Sequence, residues 1–218
     1  TVRGAMQFKP QGEADISKLF DHLDKTEDSK DDTKSESRFR LTKLGDMEYR
    51  APRFLIKDYL EADCLGLIFG DPSCGKSFAA IDMSCCIVSG KDFHGQSVKE
   101  PSPVIYIAGE GQNGIRKRFK AWEIRHGVDL SDAPIFVSNM PAALCEGSQA
   151  ALVANSVNEI ANEYGAPAMV VVDTLARNFG PGDENSTQDM GQFIQAVDMI
   201  RARHQCTVLL VHHTGHAD

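Results

Sequence analysis

The chain has 218 residues, 42% of them hydrophobic and 25% charged, and a net charge of −8; this suits one globular domain with a real core plus a tail, and excludes a fibrous or wholly disordered chain. No apolar run approaches the roughly 18 residues a membrane span needs, no secretory signal opens the chain, and no chain-wide basic field marks it as a nucleic-acid binder. A cytosolic address without membrane contact is expected. It fits the six cysteines, Cys64, Cys74, Cys85, Cys86, Cys145 and Cys206, which form no Cys-x-x-Cys pair and read as reduced core residues.

Residues 13–23 carry apolar side chains at helical spacing and predict a short helix. Residues 21–38 mix both charges with almost no apolar anchor; such a stretch cannot bury enough surface to offset the entropy of ordering, and reads as a disordered linker. Residues 1–50 are therefore expected to be a largely disordered tail and acidic polar linker, and residues 51–218 the folded domain, beginning near Phe54. From there strand and helix patterns alternate. Strands are expected at Cys64–Phe69, Val104–Ala108, Ile135–Ser138, Met169–Val172 and Thr207–His212. Helices are expected at Lys76–Ser89, Gly114–His126, Ser148–Tyr164, with Gly165 as its stop, and Thr187–His204. Short apolar runs between helices imply buried parallel strands covered on both faces, hence an α/β domain with a doubly wound, mostly parallel sheet.

Residues 70–77 read Gly70-Asp71-Pro72-Ser73-Cys74-Gly75-Lys76-Ser77, the pattern G-x-x-x-x-G-K-S between a strand and a helix. Its glycines let successive N–H groups turn inward onto phosphate oxygens, and the helix N-terminus adds a favourable dipole. Lys76 suits the β- and γ-phosphates of ATP, and the Ser77 hydroxyl suits Mg²⁺. Cys74 occupies a permissive loop position. The apolar run at 169–172 ends in Asp173, which puts a carboxylate at the carboxyl edge of the sheet, where such a fold holds Mg²⁺. Glu110 follows the strand at 104–108; alone it is a loop acid, but beside the other two motifs it is the expected residue to orient the attacking water. His213 ends the last strand. If that strand lies between the other two motif strands, His213 points at the γ-phosphate and can report its presence. His212, His213 and His216 lack the usual partner set of a zinc site.

These segments together resemble the RecA-like P-loop ATPases typified by plasmid RepA-type replicative helicases, and the related AAA-type ATPases of phages and prophages. The matching stretches are 66–78 (through Phe78), 104–111, 170–177, Gly182-Asp183-Glu184-Asn185 and 211–215, within residues 52–216. The resemblance implies ATP and Mg²⁺ as cofactors. It implies catalytic roles for Lys76, Glu110 and His213, metal binding by Ser77 and Asp173, and nucleotide binding by residues 70–78. It further implies a ring of six subunits in the full protein, with ATP at the interfaces and completed by a neighbour's arginine, and single-stranded DNA as a partner. In that family further strands, a DNA-facing loop and the usual finger arginine follow the sensing strand, so the ATPase domain is expected to be truncated at its C-terminus. Arg177 and the basic residues Arg116, Lys117, Arg118, Lys120 and Arg125 are substitute candidates for interface or DNA contact, although a solvated face explains the basic helix equally well. The resulting expectation is the ATP-hydrolysing motor of a replicative helicase or helicase-loader-like protein. The alternative is an ATP-driven switch that moves no DNA.

Overall fold

In a computed structural model, whose description covers residues 41–49, 51–109 and 111–213, the apolar runs become the strands of one sheet. The helix expected at 13–23, the linker at 21–38, Glu110 and His216 lie outside the described residues. All described residues except Leu41 belong to the unit Thr42–Asp218.

The domain opens on an antiparallel hairpin, β1 (Phe54–Ile56) and β2 (Leu60–Glu61), followed by β3 (Leu65–Gly70) and helix α1 (Lys76–Ser89). Next come β4 (Val104–Ala108), α2 (Gln112–His126), β5 (Ile135–Val137) and α3 (Gly147–Tyr164). The chain continues through β6 (Met169–Asp173), a short α4 (Leu175–Phe179), α5 (Thr187–His204) and β7 (Thr207–His213). Local chemistry sets several of the ends. Gly165, at φ 91°, stops α3 by donating its N–H to the carbonyl of Ala161, and the Ser186 hydroxyl caps α5 by accepting from the N–H of Asp189,.

The five-stranded sheet has the order β3-β7-β6-β4-β5, and every pairing is parallel. This is the doubly wound α/β architecture expected from the alternating pattern. On one face α1 and α2 cover a core that includes Ile81, Cys85, Trp122, Tyr106, Val171 and Leu209. On the other, α5 packs against β7 and α3, with the Phe179 and Phe193 rings stacked at 5.3 Å. The central strands β4 and β6 are buried at every residue, as is β7 through Val211; such strands lack period-2 alternation because both faces meet helices.

Two expectations fail. Of the six cysteines only Cys85, Cys86 and Cys206 lie in the core, while Cys64 and Cys145 are half-buried and Cys74, on the loop after β3, is exposed. Nor is β3 buried on both faces. It sits at the sheet edge, and its side chains alternate: Leu65, Leu67 and Phe69 are 39%, 53% and 67% exposed, while the residues between them are half-buried. In-register pairing puts Leu67 beside the buried Leu210 on one face, yet no described helix reaches over the edge to cover Leu67.

Candidate functional site: a phosphate loop facing a buried aspartate

Parallel register brings the carboxyl ends of the motif strands to one edge. Gly70 at the end of β3 pairs with His213 of β7, and Asp173 at the end of β6 pairs with Val211 of β7 and with Ala108 of β4. β7 thus lies between β3 and β6, the condition under which His213 faces the phosphate loop. Residues 209, 211 and 213 alternate onto the face that carries α1, whereas His212 points to the opposite face. The two histidines therefore cannot share a ligand. Both are half-buried, and each has an Nδ1 that is buried without a hydrogen-bond partner.

The loop closes through two features. Gly75 takes φ 95°, ψ 9° as the residue that caps α1, a left-handed conformation that glycine adopts without steric cost. The Lys76 side chain then folds back into the loop, where its Nζ donates to the carbonyl oxygens of Gly70 and Asp71, both at 2.7 Å, and lies 3.7 Å from Cys74 Sγ. Lys76 is buried while Asp71, Pro72, Ser73 and Cys74 are exposed. Phe78, in the first turn of α1, is also exposed, and the Arg118 guanidinium sits 5.3 Å from the centre of its ring, a cation–π geometry.

Asp173 is only 5% exposed. Ser77 Oγ donates to its Oδ1 at 3.1 Å, across 96 residues of sequence, and the Tyr106 hydroxyl donates to its Oδ2. Burial, and after it the neighbouring Asp173 carboxylate, pushes the Tyr106 phenol far above its ordinary value, so it stays a donor. A serine hydroxyl and a carboxylate oxygen facing each other at a helix N-terminus form a hard-oxygen donor pair suited to Mg²⁺.

The loop after β4 is held against the same end of β6. Gly109 donates its N–H to the carbonyl of Asp173 at 2.6 Å, and a Cβ on Gly109 would stand 2.2 Å from Arg177 Cβ. Only glycine lets the backbone pass α4 that closely. Asn178, fully buried, braces α4 by donating to the Thr174 carbonyl and accepting from the Ala142 N–H. The structure thus gathers residues 70–78, Asp173 and His213 on one edge, with Arg177 exposed beside them. Glu110, next in the chain after Gly109, is outside the described residues. Sequence reading missed Tyr106 and Asn178. The sole signal for Tyr106 was a hydroxyl in an otherwise apolar strand. The basic helix residues Arg116, Lys117, Lys120 and Arg125 are exposed on α2.

A parallel α/β sheet with a glycine-lysine-serine loop at its carboxyl edge, facing a strand-terminal aspartate, defines a P-loop ATPase domain. The family model of the AAA domain matches residues 33–218, and the chain belongs to that family. No curated protein matches it. None of the described helices is long and apolar enough to cross a membrane.

Proposed function

We propose that residues 51–218 bind ATP with Mg²⁺ and hydrolyse it as the motor of a replicative DNA helicase or helicase-loader-like protein of a phage, prophage or plasmid. The observation that carries the ATPase reading is the Ser77–Asp173 contact at 3.1 Å, which joins the phosphate loop to the strand-terminal acid. Backbone N–H groups of residues 70–78 cradle the phosphates, and the Lys76 ammonium exchanges its two loop carbonyls for phosphate oxygens. Ser77 and Asp173 hold the cation, which when bound neutralises charge developing on the phosphates. Glu110 orients the attacking water, and His213 senses the γ-phosphate. The helicase part of the reading rests on the resemblance of the motif set.

Lys76→Ala tests the loop. Removing the charge that meets the β- and γ-phosphates should abolish tight ATP binding in calorimetry; unchanged affinity would mean that the loop is not the nucleotide site. The switch reading is favoured by one observation, the net charge of −8, which gives no general attraction for nucleic acid. Turnover assayed with and without single-stranded DNA separates the two: stimulation is expected of the motor, and an unaltered rate would favour the switch.

A further inference from the structure

We propose that Tyr106 is a positioning residue for the divalent cation, acting through Asp173. The inference rests on the reading of Ser77 and Asp173 as the cation's holders. Three observations carry it. Tyr106 is wholly buried, and its hydroxyl is bonded to Asp173 Oδ2, the oxygen that Ser77 does not use. Tyr106 sits in register with Val171, on the same face as Asp173 and one strand away, so the long phenol spans the two-residue step to the sheet's edge. Its ring is held in turn by Phe119 of α2, packed edge-on at 5.7 Å.

A carboxylate that holds a cation must present one oxygen in a fixed direction. A buried aspartate can rotate about its last torsion, and each rotation exchanges its oxygens. The two hydroxyl donors remove that freedom. Tyr106 claims Oδ2 from the core side, which leaves Oδ1 turned toward Ser77 and the loop. An apolar ring of the same shape would fill the core equally well, so packing alone does not call for the hydroxyl. The expected consequence of its loss is a carboxylate with one buried oxygen unpartnered and no preferred orientation.

Tyr106→Phe and Asp173→Asn are compared by titrating Mg²⁺ onto the ATP complex by calorimetry and Mn²⁺ by electron paramagnetic resonance, with metal-free ATP affinity measured separately. Tyr106→Phe should weaken metal binding by roughly 10-fold, the lower end of what loss of a ligand-orienting partner costs, and leave metal-free ATP affinity unchanged. Asp173→Asn should weaken the metal at least as much. If Asp173→Asn leaves metal affinity intact, the cation reading itself is wrong. If Asp173→Asn weakens it and Tyr106→Phe does not, the positioning role is overturned. It is overturned equally if Tyr106→Phe weakens ATP with and without metal in the same proportion, which marks general damage. The double variant Tyr106→Phe/Asp173→Asn is also read against Asp173→Asn alone. Equal metal affinity is then expected, because the hydroxyl has no carboxylate left to position, and a further 10-fold loss would overturn the proposal.

Discussion

The site is assembled from contacts that single residues make over long sequence separations. Ser77 reaches Asp173, Tyr106 reaches it from a neighbouring strand, and Gly109 is pressed between the Asp173 carbonyl and Arg177. The last contact ties the chain just before Glu110 to the acid that ends β6. For Glu110 itself the expectation is separable from binding. Glu110→Gln keeps the shape of the side chain but makes it a far weaker proton acceptor. ATP should bind nearly as before, while turnover falls by about 10²-fold or more, the scale of a lost general base. Single-turnover kinetics checks this, and equal rates in variant and parent would move the base to another residue.

At the scale of elements, the central strands were legible because a continuous apolar run between helices has one economical meaning, a strand buried on both faces. β4, β6 and β7 follow it. The same rule misread β3, since an apolar run does not say whether a neighbour covers its second face; position in the sheet decides that, and position is not local information. The β1–β2 hairpin was too short to show a period, and the five-residue α4 gave too few turns for one. The phosphate loop and Asp173 were legible because their chemistry needs fixed residue types at fixed offsets. Tyr106 was not, because its partner lies 67 residues away and a tyrosine in a strand ordinarily signals packing alone. The edge reading of β3 has a direct test in two leucines that share a register. Leu210→Ala removes a buried side chain and should cost about 2–5 kcal/mol in denaturant unfolding. Leu67→Lys, at a half-open position, should fall within about 0.5 kcal/mol of the parent and should also reduce any edge-to-edge association. A large loss of stability from Leu67→Lys would mean that the exposed face of β3 is covered in solution.

The whole molecule is proposed to divide at about residue 50, with a polar tail before it and the ATPase after it. Limited proteolysis should cut first within 21–38, where apolar anchors are scarce, and leave a stable fragment starting near 45–54; resistance in that window would show an ordered segment there.

Assembly is the remaining property at this scale. The resemblance implies that ATP lies between subunits and that a neighbour's arginine completes the site. A cation supplied in trans is worth about 10³–10⁵ in rate where phosphoryl-transfer sites use one, so a lone subunit with Lys76, Ser77, Asp173 and Glu110 intact should still hydrolyse slowly. Turnover per subunit should therefore rise with protein concentration, in step with the mass seen by sedimentation in ATP and Mg²⁺. A constant rate per subunit over a hundredfold dilution, roughly two decades in concentration, would exclude completion in trans at any affinity that the assay spans. Arg177 is the arginine to examine first, because it is exposed on α4 at the edge that carries the phosphate loop, with its stem against Gly109. If it is the donor, Arg177→Ala protein, left at the slow basal rate, and Lys76→Ala protein, inactive, should together recover fast turnover when mixed, since an intact arginine of one can then meet the intact lysine of the other. A mixture that stays at the basal rate, while sedimentation shows the two proteins assembled together, would remove Arg177 from that role.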